Sequence, residues 1–240
     1  MVAQPSPDPT IPAAGNSSRT PAHSETVRGP IIWLLWQLAD SAFPSGSFAH
    51  SAGLESACQH GEVSNKAELR TWLESSLSQL TTVVLPFVNA SHEEPARLQE
   101  VDLCCDAFTT NHVANRASRL QGRALQSAVA RIMGLRATPT PCAHLAPVFG
   151  VTTRGLGMSR ADASRLFIFQ HLRGVLSAAV RLSLIGPMEA QAIQLQLVPL
   201  AEKAAQDSAT LDLEDLAQTA PLLDLWQGAH DRLSSRLFQT

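Results

Sequence analysis

The sequence predicts an all-α fold, a single-domain bundle of about ten helices packed around a long central apolar helix. Three observations predict it. No segment shows the apolar–polar alternation of a half-buried strand. Leu69, Trp72, Leu73, Leu77, Leu80 and Val84 recur at the 3.6-residue period of one helix face. Residues 160–185 are apolar on nearly every side, as suits a helix enclosed by its neighbours.

The elements follow in order. Residues 1–29 are rich in Pro, Ser, Ala and Thr and poor in large apolar side chains. They bury too little surface to offset the entropy of ordering, so a disordered tail is expected, followed by one helical domain over 30–240. With Arg19 and Arg28 alone, the stretch is poorer in Arg than a transit peptide. A short helix spans 31–40, and a second spans 48–60, closed by Gly61. Asn65 caps a third, with Glu68 three positions on, and Pro86 ends it. Residues 96–113 and 115–136 read as a helix pair or one long broken helix. A loop with Pro139, Pro141 and Cys142 leads to a short helix at 144–157. Ser159 starts the long helix, which runs to Gly186; Pro187 suits the first position of the next, and Pro199 breaks it. Helices at 211–217 and 229–237 close the chain.

At 240 residues and 45% hydrophobic content, the chain can bury one sizeable core. A net charge of −3 argues against a nucleic-acid partner. The charge is uneven. Residues 107–181 hold ten Arg against one acid, Asp162, between two acidic flanks. Such a basic middle is either satisfied internally or faces an acidic partner. Arg outnumbers Lys sixteen to two, which favours bidentate interface contacts, although high-GC codon usage gives the same bias. Cys58, Cys104, Cys105 and Cys142 form no CxxC and fit buried thiols in a reducing compartment. No apolar run reaches the ~18 residues that cross a bilayer. A cytoplasmic protein with no membrane contact is expected.

The chemistry is mostly a set of exclusions. None of the eight histidines pairs with another at i, i+4, and no metal set or cofactor is expected. Ser41, Ser45, Ser47 and Ser51 crowd His50 and Asp40 without a GxSxG elbow, and Ser at a corner is usually a cap or turn residue. No GxxxxGK[ST] or GxGxxG is present, so the chain should not hydrolyse a nucleotide itself. The expectation is a helical interaction protein and not an enzyme.

Three stretches are candidates for that interaction. Residues 38–55, LADSAFPSGSFAHSAGLE, form a sharp corner between helices, punctuated by Pro44 and Gly46. Asp40, Ser41, Phe48, His50, Ser51 and Glu55 lie in it; His50 is a ligand, an interface hydrogen bonder or a helix-start residue bonding the local backbone. Residues 111–123 place Arg116, Arg119 and Arg123 on one helix face. That face is either a solvated basic surface or a docking strip for an acidic partner. Gly122, next to Gln121, costs ~1 kcal/mol in mid-helix relative to Ala, which makes sense if something packs closely there. At the C-terminus, Arg236, Leu237 and Phe238 form either an anchor for a partner groove or a segment docked back on the core.

LLWQLADSAFPSGSFAHSAGLES (34–56) resembles the N-terminal signature of the UreF family of urease accessory proteins, roughly LxLxDSxxPxGxFxHSxGLE. The likeness continues in ASRLQGRAL (117–125), HLAPVFGV (144–151), LSAAVRLSLIGPMEAQ (176–191) and PLLDLW…H…SRLFQT, in family order, over about residues 31–240. Ser47 stands where the family often has a second Gly. Ser234 stands where it commonly has a Tyr, and the chain has no Tyr at all.

The resemblance implies an all-α homodimer without catalytic activity. It would bind the UreD/UreH accessory protein, recruit the UreG GTPase, modulate that enzyme's cycle and help deliver nickel to the urease apoprotein. Residues 236–238 would order on UreD/UreH. The 38–55 corner would shape the dimer or the UreG-facing surface, and Arg116, Gln121 and Arg123 would belong to the same surface. The rival reading is a direct nickel-binding metallochaperone using His50, His144 and Cys142. A helical hydrolase acting through Ser41 or Ser51 is a third.

Overall fold

The computed structural model describes Met1 and residues 30–239, and every regular element among them is a helix. Apart from Met1, the tail expected over 1–29 lies outside the described residues. The helices are α1 (Ile31–Ala39), α2 (Leu54–Gln59), α3 (Lys66–Gln79), α4 (Leu85–Glu93), α5 (Leu98–Phe108), α6 (His112–Met133), α7 (Leu145–Gly155), α8 (Arg160–Arg181), α9 (Pro187–Gln196), α10 (Val198–Ser208) and α11 (Pro221–Ala229). The expected all-α bundle is therefore found.

The long helix α8 does sit at the centre. It packs against α1, α2, α3, α4, α7, α9 and α10. Leu166, Ile168, Leu172, Val175 and Leu176 are buried along it. It is neither apolar nor enclosed all round, because Arg165 is exposed and so is Phe169. Ser159 caps its start by accepting the Asp162 N–H. Asn65 caps α3 in the same way, through the N–H groups of Ala67 and Glu68.

Several boundaries differ from the sequence expectation and one open choice is resolved, each for a local reason. The second helix begins at Leu54 and not near Phe48, because Ala52 and Gly53 both adopt positive φ. Only a short 3₁₀ turn, Ser47–Ala49, precedes them. Pro86 does not end the third helix. A π segment, Leu80–Val84, widens the turn, so Pro86 falls in the first turn of α4, where a missing N–H costs nothing. Residues 96–113 and 115–136 are a helix pair, split where Asn111 caps α6 through Val113 and Ala114. Residues 211–217 are irregular, and the last helix is α11, starting at Pro221. Here the backbone is tied to the α3 side of the bundle instead. Thr82 exchanges hydrogen bonds with Ala217, and the Gln79 side chain accepts from the N–H groups of Thr219 and Ala220.

Gly122 is explained by the chain itself. A Cβ at this point of α6 would lie 1.9 Å from the carbonyl oxygen of Ala143. The loop before α7 therefore lies directly on the α6 backbone. The close packing read from the sequence is real, but the neighbour is residue 143 and not a partner protein.

Gly122→Ala should destabilise the fold by ~1–3 kcal/mol or more, since the clash is with backbone. Gly174→Ala, on α8 with nothing within 4 Å of its added Cβ, should instead stabilise by up to ~1 kcal/mol. Urea unfolding of the two variants checks the opposite signs.

Candidate functional site

The corner is built from outside in. Two α8 side chains cap the end of α1: Gln170 donates to the Leu38 carbonyl at 2.7 Å, and Arg173 donates to that of Ala39. Asp40 turns the chain by accepting the Ala42 N–H at 2.8 Å. Asp40, Ser41, Pro44, Gly46 and Phe48 are exposed, and His50 is half-buried. Ser51 and Glu55 are fully enclosed. They face the interior and not a partner, so any recognition by this corner runs through its outer residues. Gly53 is where α11 comes close: a Cβ there would lie 3.0 Å from the Gln227 nitrogen.

Glu55 holds the C-terminal segment. Its carboxylate accepts the N–H of Leu237 at 2.6 Å, that of Phe238 at 3.1 Å and His230 Nε2–H at 3.1 Å. Gln239 donates to the Ala49 carbonyl, and Gln59 donates to that of Ser235. Phe238 is buried, and the Arg181 guanidinium lies between its ring, at 4.1 Å, and that of Phe48, at 4.0 Å. Arg181 also donates to the Phe48 carbonyl at 2.6 Å. The segment is docked on its own core, while Arg236 and Leu237 stay exposed.

The Arg face of α6 divides. Arg116 grips Asp231 with both nitrogens, at 2.8 and 3.1 Å, and His112 and Arg236 reach the same carboxylate at 3.3 and 3.4 Å. Arg116, through its hydrogen bond first, and then His112 hold the Asp231 carboxyl below its usual range. Arg119 lies 3.8 Å from Asp106. Arg123 is exposed, and Gln121 turns into the interior.

That interior holds a cavity of about 290 Å³ between the corner, α3, α6, α8 and α11. His50, Ser118, Gln121, Gln170, His171 and Asp224 line it. Burial first, then the nearby His230 and Arg116, pushes the His50 pKa down to about 4. His171 is closed in except where it meets the cavity, and it bonds Ser76; burial lowers it to about 4 as well. Burial raises Asp224.

Next to this cavity the loop 140–144 is pinned by one buried carboxylate. Asp102 accepts the N–H groups of Cys142, Ala143 and His144 at 2.7, 3.0 and 2.8 Å, and the Thr140 hydroxyl as well. Ala143 is held at φ +62°, in the left-handed region. His144, fully buried, bonds Ser118 Oγ through Nδ1 and Asp106 through Nε2, both at 3.0 Å. Asp106, Cys142 and His144 bring one donor atom each within 4.8 Å of one another. His50 is not in this group. Nothing in the spacing announces it, because Asp102 and Asp106 come from α5 and their partners from a distant loop. The sequence signals are His144 and Cys142, which the metallochaperone reading pairs with His50; Asp106 carries no such signal. His230 and Arg181 were equally silent.

Glu55→Ala strands two amide N–H groups and a buried imidazole. It should cost ~3–5 kcal/mol and raise hydrogen exchange at Leu237 and Phe238. Acid should weaken the fold as well. Unfolded, His50 and His171 take up protons below about pH 6.5; folded, they resist until about pH 4. The unfolded state binds more protons in that window, so stability falls as pH drops through it. The loss is on the order of 1–2 kcal/mol for each imidazole by pH 5, less where solvent reaches the ring. Urea midpoints at pH 7 and 5 measure it.

Comparison with known proteins gives the chain a family. A family model described as UreF matches residues 63–198. The chain is 36% identical over 233 residues to "Urease accessory protein F" of Oryza sativa subsp. indica, covering 92% of this chain and 89% of that one. It is 36% identical over 219 residues to the protein of the same name from Arabidopsis thaliana, covering 86% and 91%. It is 28% identical over 219 residues to "Urease accessory protein UreF" of Trichodesmium erythraeum, covering 85% and 94%. With more than half of its length matched by the family model, and relatives above 30% identity along most of it, the chain belongs to the UreF family.

Proposed function

We propose that the chain serves urease maturation as a cytoplasmic, non-catalytic adaptor. In this reading it forms a homodimer and bridges a UreD/UreH-type accessory protein to a UreG-type GTPase. It modulates the GTPase cycle, and nickel passes as cargo to the urease apoprotein. Family membership along most of the chain carries the reading. No helix among the described residues is long and apolar enough to cross a membrane.

The C-terminal segment held by Glu55, a latch on the corner, supports a specific docking face. Phe48, Arg181 and Phe238 form a stack, with Leu237 exposed beside it, and Arg236 reaches Arg116 through Asp231. Corner, Arg face and C-terminal segment are thus one connected surface. Trp33 and Trp36 on α1, and Leu222 and Leu225 on α11, are exposed apolar side chains of the kind that protein contacts cover. The metallochaperone reading keeps one observation in its favour: Cys142 and His144 do meet, although Asp106 takes the place expected for His50.

Deletion of residues 236–240 should abolish co-purification with the UreD/UreH partner. Leu237→Ala, which leaves the backbone N–H bonded to Glu55, should weaken capture without unfolding the chain. Full-strength capture after the deletion rejects the C-terminal anchor.

A further inference from the structure

The geometry points to a divalent-cation site formed by Asp106, Cys142 and His144. It would take a borderline ion of the Zn²⁺, Co²⁺ or Ni²⁺ class through one carboxylate oxygen, one thiolate and His144 Nε2. A carboxylate, an imidazole and a thiolate together suit such ions and are poor ligands for Mg²⁺ or Ca²⁺. Three protein ligands leave a fourth position for water or for a donor from another molecule.

Four features make this more than a chance grouping. First, the donor atoms already lie within 4.8 Å of one another, while tetrahedral bonds of about 2.0–2.3 Å set donors about 3.4–3.8 Å apart. Closing the site needs a shift of about 1 Å, and Asp106 can supply it, since its side chain is 36% exposed. Second, Cys142 and His144 are fixed in advance. They flank Ala143, whose left-handed backbone is a strained state for a residue with a Cβ, and Asp102 clamps the three amides in a row. The clamp aims Cys142 and His144 toward Asp106. Third, the outer partners are those of a metal-bound histidine. Ser118 Oγ sits on Nδ1, the nitrogen opposite the ion, and Asn115 Nδ2 donates to Asp106 at 2.9 Å. Fourth, the burial is graded. His144 and Cys142 are buried while Asp106 reaches solvent, so an ion can arrive from outside and end half-enclosed.

The ion forms bonds to Sγ, Nε2 and one Asp106 oxygen. The Cys142 thiol proton leaves to solvent. His144 stays neutral, its proton passing from Nε2 to Nδ1, where Ser118 receives it as acceptor. A dication with one thiolate and one carboxylate leaves the site uncharged. Arg119, 3.8 Å from Asp106, is the cation that would move aside among the described residues.

The site does not depend on the adaptor reading, because it is assayed on the isolated chain. Titration of the full-length protein with Co²⁺ should show one equivalent bound per chain, with a thiolate-to-cobalt charge-transfer band in the near ultraviolet. Calorimetry in two buffers should show one proton released per ion. Cys142→Ser should abolish the band, and Asp106→Asn and Ser118→Ala should each weaken binding about tenfold or more. Circular dichroism confirms that each variant is folded, and Cys142→Ser is nearly isosteric. A cobalt spectrum without the band, or a Kd unchanged in Cys142→Ser, overturns the site. Capture of the UreD/UreH partner by Cys142→Ser is a separate readout, so the adaptor reading and the metal site can fail independently.

Discussion

One buried carboxylate organises the middle of this molecule. Among the described residues no cation grips Asp102; it spends its charge on three consecutive amides and a hydroxyl. A carboxylate can be enclosed at tolerable cost when hydrogen-bond donors replace its lost water. The amides belong to the residues that lead into α7, so the charge also sits favourably at that helix's positive end. Everything nearby follows from this clasp. The loop can press on α6 because residue 122 has no side chain, and α7 can then pack between α6 and α4. His144 is carried to Ser118 and Asp106 by the same turn of backbone.

Glu55 does at one end of the bundle what Asp102 does in the middle. It too is a buried acid whose partners are mostly backbone N–H groups from far along the chain. Both acids join segments that helix packing alone would leave loose: a 3₁₀ corner, an irregular C-terminal run and a proline-rich loop. The helices form the frame, and two acids fasten the non-helical pieces that carry the interesting side chains. This division fits a protein whose recognition surface is made of loops held on a rigid support.

The helical frame was legible in the sequence because helices are local. The Asn65 cap, Pro187 at its first-turn position and the apolar period from Leu69 to Val84 all depend on residues within a few positions of one another. What was not legible depends on distant partners. Pro86 reads as a stop until the π segment before it is known. The 211–217 run reads as helical until Thr82 claims the backbone of Ala217 at its end and Gln79 that of Thr219 and Ala220 just beyond it. At the candidate site, residue type alone singled out the corner and the Leu237–Phe238 pair. It could not say that Ser51 and Glu55 point inward, because burial is a property of the assembled bundle. Gly122 shows the same limit. The need for close packing could be read from one residue, but the identity of the neighbour could not.

The latch also sets an order on how the protein can be made. Glu55 lies early in the chain, and the amides that satisfy it belong to Leu237 and Phe238. During synthesis the corner therefore exists for most of the polypeptide's growth with an acid that has no proper place to be buried. Arg181 likewise waits, with one aromatic face in reach and the other not yet made. The final packing of the first helices belongs to the moment when Leu237 and Phe238 leave the ribosome. A chain truncated near its end would keep nearly all its helices and still lack a finished corner.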